Sequence, residues 1–298
     1  MKKKILLFIL IFSSIIAFEC CDKINGPYRE TVSISEFCRT GIQDFDIHRK
    51  VMVEDYTGHL CGNCPPAGIY LNDTLKSLYN HCLIIVSVHA DYFATFCPNG
   101  LACPGNQPPG AFTTDFNTVA GNDWYNFFGF TSNPKGMVNR INYLNGTHVK
   151  SKGEWAGAIA NQLATKADAK INVQNSYNSS NRTVAVTIKT KFISALTGNY
   201  NLQVLLTEDS VVDWQEWYPP HSPLYVPDYN HRHVLRDALN STWGENIASG
   251  TVSSGDSITK TYNYVLSNNW NADHCSIVAF VYDNHSKEVL QVEEQAVR

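Results

Sequence analysis

Cys61 and Cys64 stand two residues apart in Cys61-Gly62-Asn63-Cys64, between a β-branched run and an amphipathic stretch. Two intervening residues allow the short S–S closure and a helix start favours the thiolate, so the spacing reads as a dithiol/disulfide pair. Asp55 lies six residues before Cys61 on the strand leading to it, where a buried carboxylate can take the proton of the resolving thiol. Pro134, in Thr131-Ser132-Asn133-Pro134, opens a later strand and is a candidate cis-proline facing the pair. Pro65 and Pro66 follow Cys64 directly. Proline lacks the N–H that a helix capped at Cys61 needs for its first internal bond, which moves the expected helix start toward Asn63 and leaves the Cys61 thiol nearer its ordinary pKa of about 8.5. Catalytic exchange, a structural disulfide and spectator thiols are the three readings of the pair. His59 and His89 add a tetrahedral zinc site with Cys61 and Cys64, although an oxidising compartment closes such a pair on itself more readily.

The elements that must position these residues follow from periodicity. Val51 to Tyr56 reads as a strand, about 64 to 80 as a helix with Ile69, Leu71, Leu75, Leu78 and Tyr79 on its apolar face, and Cys82 to His89 as a strand buried on both faces. Together they make one βαβ unit. A Pro- and Gly-rich loop spans roughly 91 to 112, and Cys97 and Cys103 bracket part of it as a local disulfide. Cys82 reads as a buried free thiol, while Cys38 and Cys275 have no assigned partner. A helix at 115 to 128, a strand at 136 to 141, an Asn145-Gly146 turn and a helix at 153 to 167 complete this half. Beyond it, six or seven alternating runs between 170 and 293 read as antiparallel strands of a sandwich. Residues 213 to 233 form a long segment crowded with aromatics and proline, suited to gripping a ligand or to covering a domain junction. His231 and His233, two apart on a strand, would share a face and could hold a metal or make a polar interdomain contact.

Among 298 residues only 17% are charged, and the net charge is −4, which excludes a nucleic-acid partner. Lys2, Lys3 and Lys4 precede an apolar run from Ile5 to Phe18 that is too short to span a membrane and suits a signal peptide. Cys20 and Cys21 follow at once and read as a lipoprotein signal with acylation at Cys21, Cys20 being the alternative.

At these residues about 48 to 168 resembles a thioredoxin-like domain. The segments VMVEDYTGHLCGNCP (51–65), VSVHADYFA (86–94), NPKGMVNR (133–140) and YNHRHVLR (229–236) resemble more narrowly the outer membrane protein 28-related lipoproteins of Bacteroidetes-type bacteria. The resemblance implies a fold in which an α/β thioredoxin-like domain is joined to an all-β, immunoglobulin-like sandwich, and attachment to the outer membrane. By the thioredoxin pattern, Cys61 would be the exposed nucleophile, Cys64 the resolving thiol and Pro134 the substrate clamp. The expected layout is a signal peptide at 1–20, a lipid-anchored tether at 21–47, the thioredoxin-like domain at 48–168 and the sandwich at 169–298. Two functions fit: thiol-disulfide exchange on exported proteins without a cofactor, and non-enzymatic binding of a surface ligand with the α/β domain as scaffold. Exposure of the Cys61 sulfur discriminates between them.

Overall fold

Strands β1 (Val51–Thr57) and β2 (Leu83–His89) are almost fully buried apolar runs. They pair in parallel, Val51 opposite Leu83 through Thr57 opposite His89. The computed structural model describes residues 38, 48–97 and 107–298. The expected signal peptide, Cys20, Cys21 and Cys103 lie outside the described residues, as does the tether except Cys38. Helix α1 (Pro65–Ile69) connects the two strands and continues through a π-helical stretch at Tyr70–Lys76 and a last turn at Ser77–Tyr79. Leu71 and Leu75 are buried on its sheet side, but Ile69 and Leu78 are exposed, because the wider π winding departs from the 3.6-residue period that placed all four on one face.

Helix α2 (Val119–Phe127) starts at Thr118, whose side chain accepts from Gly121 N. Strand β3 (Lys135–Val138) follows and runs antiparallel to β1, with Asp55 opposite Gly136. A turn through Gly146 (φ +69°) brings Lys150 back to bridge Gly136. Helix α3 (Lys152–Leu163) is closed at its start by a capping box of Ser151 and Glu154 and buries Trp155, Ile159 and Leu163.

The second half supplies β4 (Ala169–Asn178), β5 (Thr183–Phe192), β6 (Leu196–Glu208), β7 (Val211–Glu216), β8 (Tyr225–His231), β9 (Val234–Ala238), β10 (Glu245–Val252), β11 (Ser257–Val265), β12 (Cys275–Asp283) and β13 (Val289–Ala296). Their arrangement corrects the expected architecture of an α/β thioredoxin-like domain followed by an all-β, immunoglobulin-like sandwich domain. Among the described residues β structure predominates, 44% strand against 18% helix. One sheet runs through both halves in the order β13-β12-β6-β9-β2-β1-β3, with β10 on β6. The seam is β9, which bonds β6 on one side and β2 on the other, where Ser87 N donates to His233 O at 2.8 Å. A strand buried on both faces, as β2 is, leaves a costly open edge unless another strand covers it.

The cores follow the sheet. On one face Met52, Ile84, Val86 and Trp124 of the first half pack with Leu205, Leu235, Phe280 and Tyr282 of the second. Within that layer Arg140 and Glu54, both fully buried, form a bidentate pair at 2.8 and 2.6 Å, and the guanidinium lies about 5 Å from the rings of Trp124, Phe128 and Phe280. On the other face the separate sheet β11-β5-β4 packs on β6, β12 and β13, a β layer of the kind expected for the second half. Cys82 pairs with Cys38 rather than remaining a free thiol; a run of apolar neighbours marks burial and says nothing of a partner 44 residues upstream. Cys275 is a buried free thiol.

Candidate functional site

The Cys-x-x-Cys segment is built by consecutive turns at the end of β1. Cys61 N donates to Gly58 O, and Cys64 N to Cys61 O. Cys64 is the helix N-cap, with prolines in the first positions and the N–H groups of Ala67 and Gly68 bonded to its carbonyl. The helix therefore starts after Cys64, as Pro65 and Pro66 require, and Cys61 stands outside its first turn. The two cysteines form a disulfide, Cα–Cα 5.3 Å. Their sulfurs bond each other, so they are not thiolates available to zinc, and the described residues contain no cluster of three or more potential metal ligands.

The second half covers this pair. The expected loop at 213–233 is the hairpin of β7 and β8, laid over the Cys-x-x-Cys turns. Gln215 Nε2 donates to Cys61 O at 3.1 Å, Glu216 N to His59 O at 2.8 Å and Tyr218 N to Gly62 O at 2.9 Å. The approach is so close that a Cβ on Gly62 would lie 2.2 Å from the Tyr218 ring, which makes glycine obligatory there. Leu60, Cys97 and Phe112 pack beneath Trp214 and Tyr225. Cys61 is only 2% exposed and Cys64 4%, so Cys61 is not the exposed nucleophile expected from the thioredoxin pattern. The hairpin tip contains cis Pro219–Pro220 and Ser222–Pro223, and Trp217 is stacked on His221 within the same tip. Trp214, Tyr218 and Tyr225 thus lie against the junction between the halves.

A cavity of about 280 Å³ opens beside the disulfide between β1, β2, α1, β7 and β8. Cys64 lines it, with Asp55, Gly68, His89, Tyr229 and His231. Asp55 Oδ1 is buried and has no hydrogen-bond partner among the described residues. Burial pushes its carboxyl up to about 7. Burial also holds His231 down to about 4, His89 well below the usual imidazole range, and His59 lower than usual. The imidazoles of His89 and His231 lie 5.4 Å apart, both against Phe116. Tyr229 is pushed up to about 12 by burial and then by Asp55 and Asp73.

The remaining sequence candidates divide. The Asn133–Pro134 peptide is cis, and Pro134 immediately precedes Lys135, the residue opposite Tyr56; it does not line the cavity. Cys97 is disulfide-bonded, and Cys103 lies outside the described residues. His231 and His233 do not share a site: His233 has a positive φ (+52°), which breaks the alternation, and lies with Lys76, Asp209 and His274 instead. Gln215, Tyr218 and Tyr229 were not foreseen at the disulfide, and the only signal of them was the aromatic density of 213 to 233.

Comparison with known proteins agrees with part of this picture. Residues 121–298 match the family model described as outer membrane protein Omp28. No curated protein matches the chain. Among solved structures, a domain of the outer membrane lipoprotein Omp28 from Porphyromonas gingivalis is similar at 26% identity, TM-score 0.31, covering 44% of this chain and 89% of that one. The Escherichia coli curli protein CsgC is similar at 9% identity, TM-score 0.21, covering 43% of this chain and 95% of that one. A β-glucosidase from Kluyveromyces marxianus is similar at 12% identity, TM-score 0.22, covering 44% of this chain and 14% of that one. No helix among the described residues is long and apolar enough to cross a membrane. The chain belongs to the Omp28 family of outer membrane lipoproteins.

Proposed function

We propose that this lipoprotein exchanges thiols and disulfides at Cys61–Cys64, through the cavity that Cys64 lines, and that Cys21 carries its acyl anchor, Cys20 being the alternative. Asp55 carries the exchange reading. A buried carboxyl with an unpartnered oxygen costs stability at neutral pH, and a static staple has no use for it. Beside a disulfide it has one: near pH 7 about half the Asp55 carboxyls hold a proton, so the group can give a proton to a departing sulfur or take one from an attacking thiol. The imidazoles of His89 and His231, held neutral by burial, add no positive charge of their own beside it. A second reading, a binding lipoprotein whose disulfide only fastens the turn under the hairpin, is favoured by the 2% exposure of Cys61.

Trapping separates them. In full-length protein, Cys61→Ser and Cys64→Ser each leave one thiol of the pair, and exposure to low-molecular-weight disulfide followed by mass spectrometry reads adducts. Exchange predicts an adduct at one of these positions in the folded protein. A fastening role predicts none until denaturant is added.

A further inference from the structure

Cys61 and Cys64 differ in what surrounds them. Cys61 is closed off by Gln215, Glu216 and Tyr218 of the hairpin and does not line the cavity, whereas Cys64 does. We infer that the site takes small thiols and disulfides of amino-acid size, reacting at Cys64, in place of protein thiols reacting at Cys61; this rests on the exchange reading above.

Two observations carry it. A protein substrate reaching a Cys-x-x-Cys turn needs room to lay its own backbone along the surface. Here that room is filled by the chain itself: the carbonyls of His59, Cys61 and Gly62 are all occupied by donors from residues 215 to 218, and the Tyr218 ring sits where any Gly62 side chain would be. The way left to the disulfide is the cavity. At about 280 Å³ it falls just below the usual range of small-molecule pockets, roughly 300–1,000 Å³, and has room for about nine waters. Its lining also suits a zwitterion. Arg232 forms an exposed ion pair with Asp73 at 3.6 Å and also reaches Asp209 at 3.5 Å, so the carboxylate and ammonium of an amino-acid thiol would bind by exchanging with the Arg232–Asp73 pair.

The chemistry balances without another reactant. The thiolate of a first small thiol attacks Cys64 Sγ, the Cys61–Cys64 bond breaks, and Cys61 leaves as a thiolate that takes a proton. A second small thiol attacks the mixed disulfide, releasing the small disulfide and leaving Cys64 as a thiol. Two thiols are oxidised to one disulfide while the protein disulfide is reduced to a dithiol, and the reverse sequence reduces a small disulfide.

The test uses reduced full-length Cys61→Ser and Cys64→Ser proteins, with cystine and insulin disulfide as probes and adducts read by mass spectrometry. The expected result is cystine addition at Cys64 in Cys61→Ser, at least about tenfold faster than insulin addition there, and little at Cys61 in Cys64→Ser, since exchange follows access. Gly68→Trp in the Cys61→Ser background should slow cystine addition by a similar factor, while Gly68→Ala, whose Cβ meets only Tyr229 Oη at 3.5 Å, should not. If Gly68→Trp fails to fold, alkylation of Cys64 by iodoacetamide against a bulky polymer maleimide reads the same size limit. Insulin reacting as fast as cystine, or faster reaction at Cys61, overturns the small-molecule assignment and leaves exchange standing. No adduct from either probe in folded protein overturns both.

Discussion

Replacing Asp55 with asparagine removes a titration and little volume, and its effect on stability should depend on pH with a definite sign. The carboxyl has a value near 3.8 in the unfolded chain and about 7 in the fold, raised by burial. A group whose folded pKa is raised contributes stability that is fully present below its unfolded value and is lost as pH rises through the folded value. Between these limits the folded protein holds a proton that the unfolded chain has released, so the wild type weakens as pH rises while Asp55→Asn does not. The gap of about three pKa units corresponds to roughly 4 kcal/mol at 1.36 kcal/mol each. Urea unfolding of the disulfide-intact full chain in mild detergent measures it. The two proteins should have nearly equal stability at pH 4, and by pH 8 the variant should be ahead by about 4 kcal/mol, a midpoint difference of about 1.5 M at a slope near 2.5 kcal/mol/M. A difference that stays flat with pH would refute the argument. So would one favouring the wild type at pH 8, since that is the behaviour of a carboxylate with a bound partner.

Further outcomes are expected. His231, held down to about 4, has the opposite sign: its contribution is full above about 6.5 and is lost as pH falls toward 4, so the wild type should lose about 2 kcal/mol more than His231→Phe between pH 7 and pH 5 in the same assay. Arg140→Met leaves Glu54 buried and unpaired and should cost about 3–5 kcal/mol in urea unfolding, most of it recovered in the double variant Glu54→Leu/Arg140→Met. Cys21→Ser should abolish palmitate labelling and detergent partitioning; full labelling in that variant would move the anchor to Cys20, and labelling kept in both single variants would refute acylation at this pair.

The local elements were legible because each is written in a few neighbouring residues. The buried run 82 to 89, the helix face around Leu71 and Leu75, and the prolines that delay the helix past Cys64 all act within one or two turns. What periodicity could not show was partnership across the chain. Nothing in Cys82 names Cys38, nothing in Ser87 names Val234, and the pairing of β2 with β9 is what turns two expected domains into one sheet. Nor could spacing show that Gln215 and Tyr218 would settle on Cys61 and Gly62, more than 150 residues away. Asp55 was identifiable as a carboxyl near the pair, but its lack of a partner depends on which side chains line the cavity, and those come from five separate elements.

The most direct measurement is the redox equilibrium of Cys61–Cys64 in the folded full chain. Equilibration with graded ratios of reduced to oxidised dithiothreitol, acid quenching, alkylation and mass spectrometry would read each disulfide separately. An exchanging site predicts that Cys61–Cys64 is reduced and reoxidised reversibly while the protein stays folded and Cys38–Cys82 stays closed. A pair that opens only together with Cys38–Cys82, or only as the fold is lost, would contradict it.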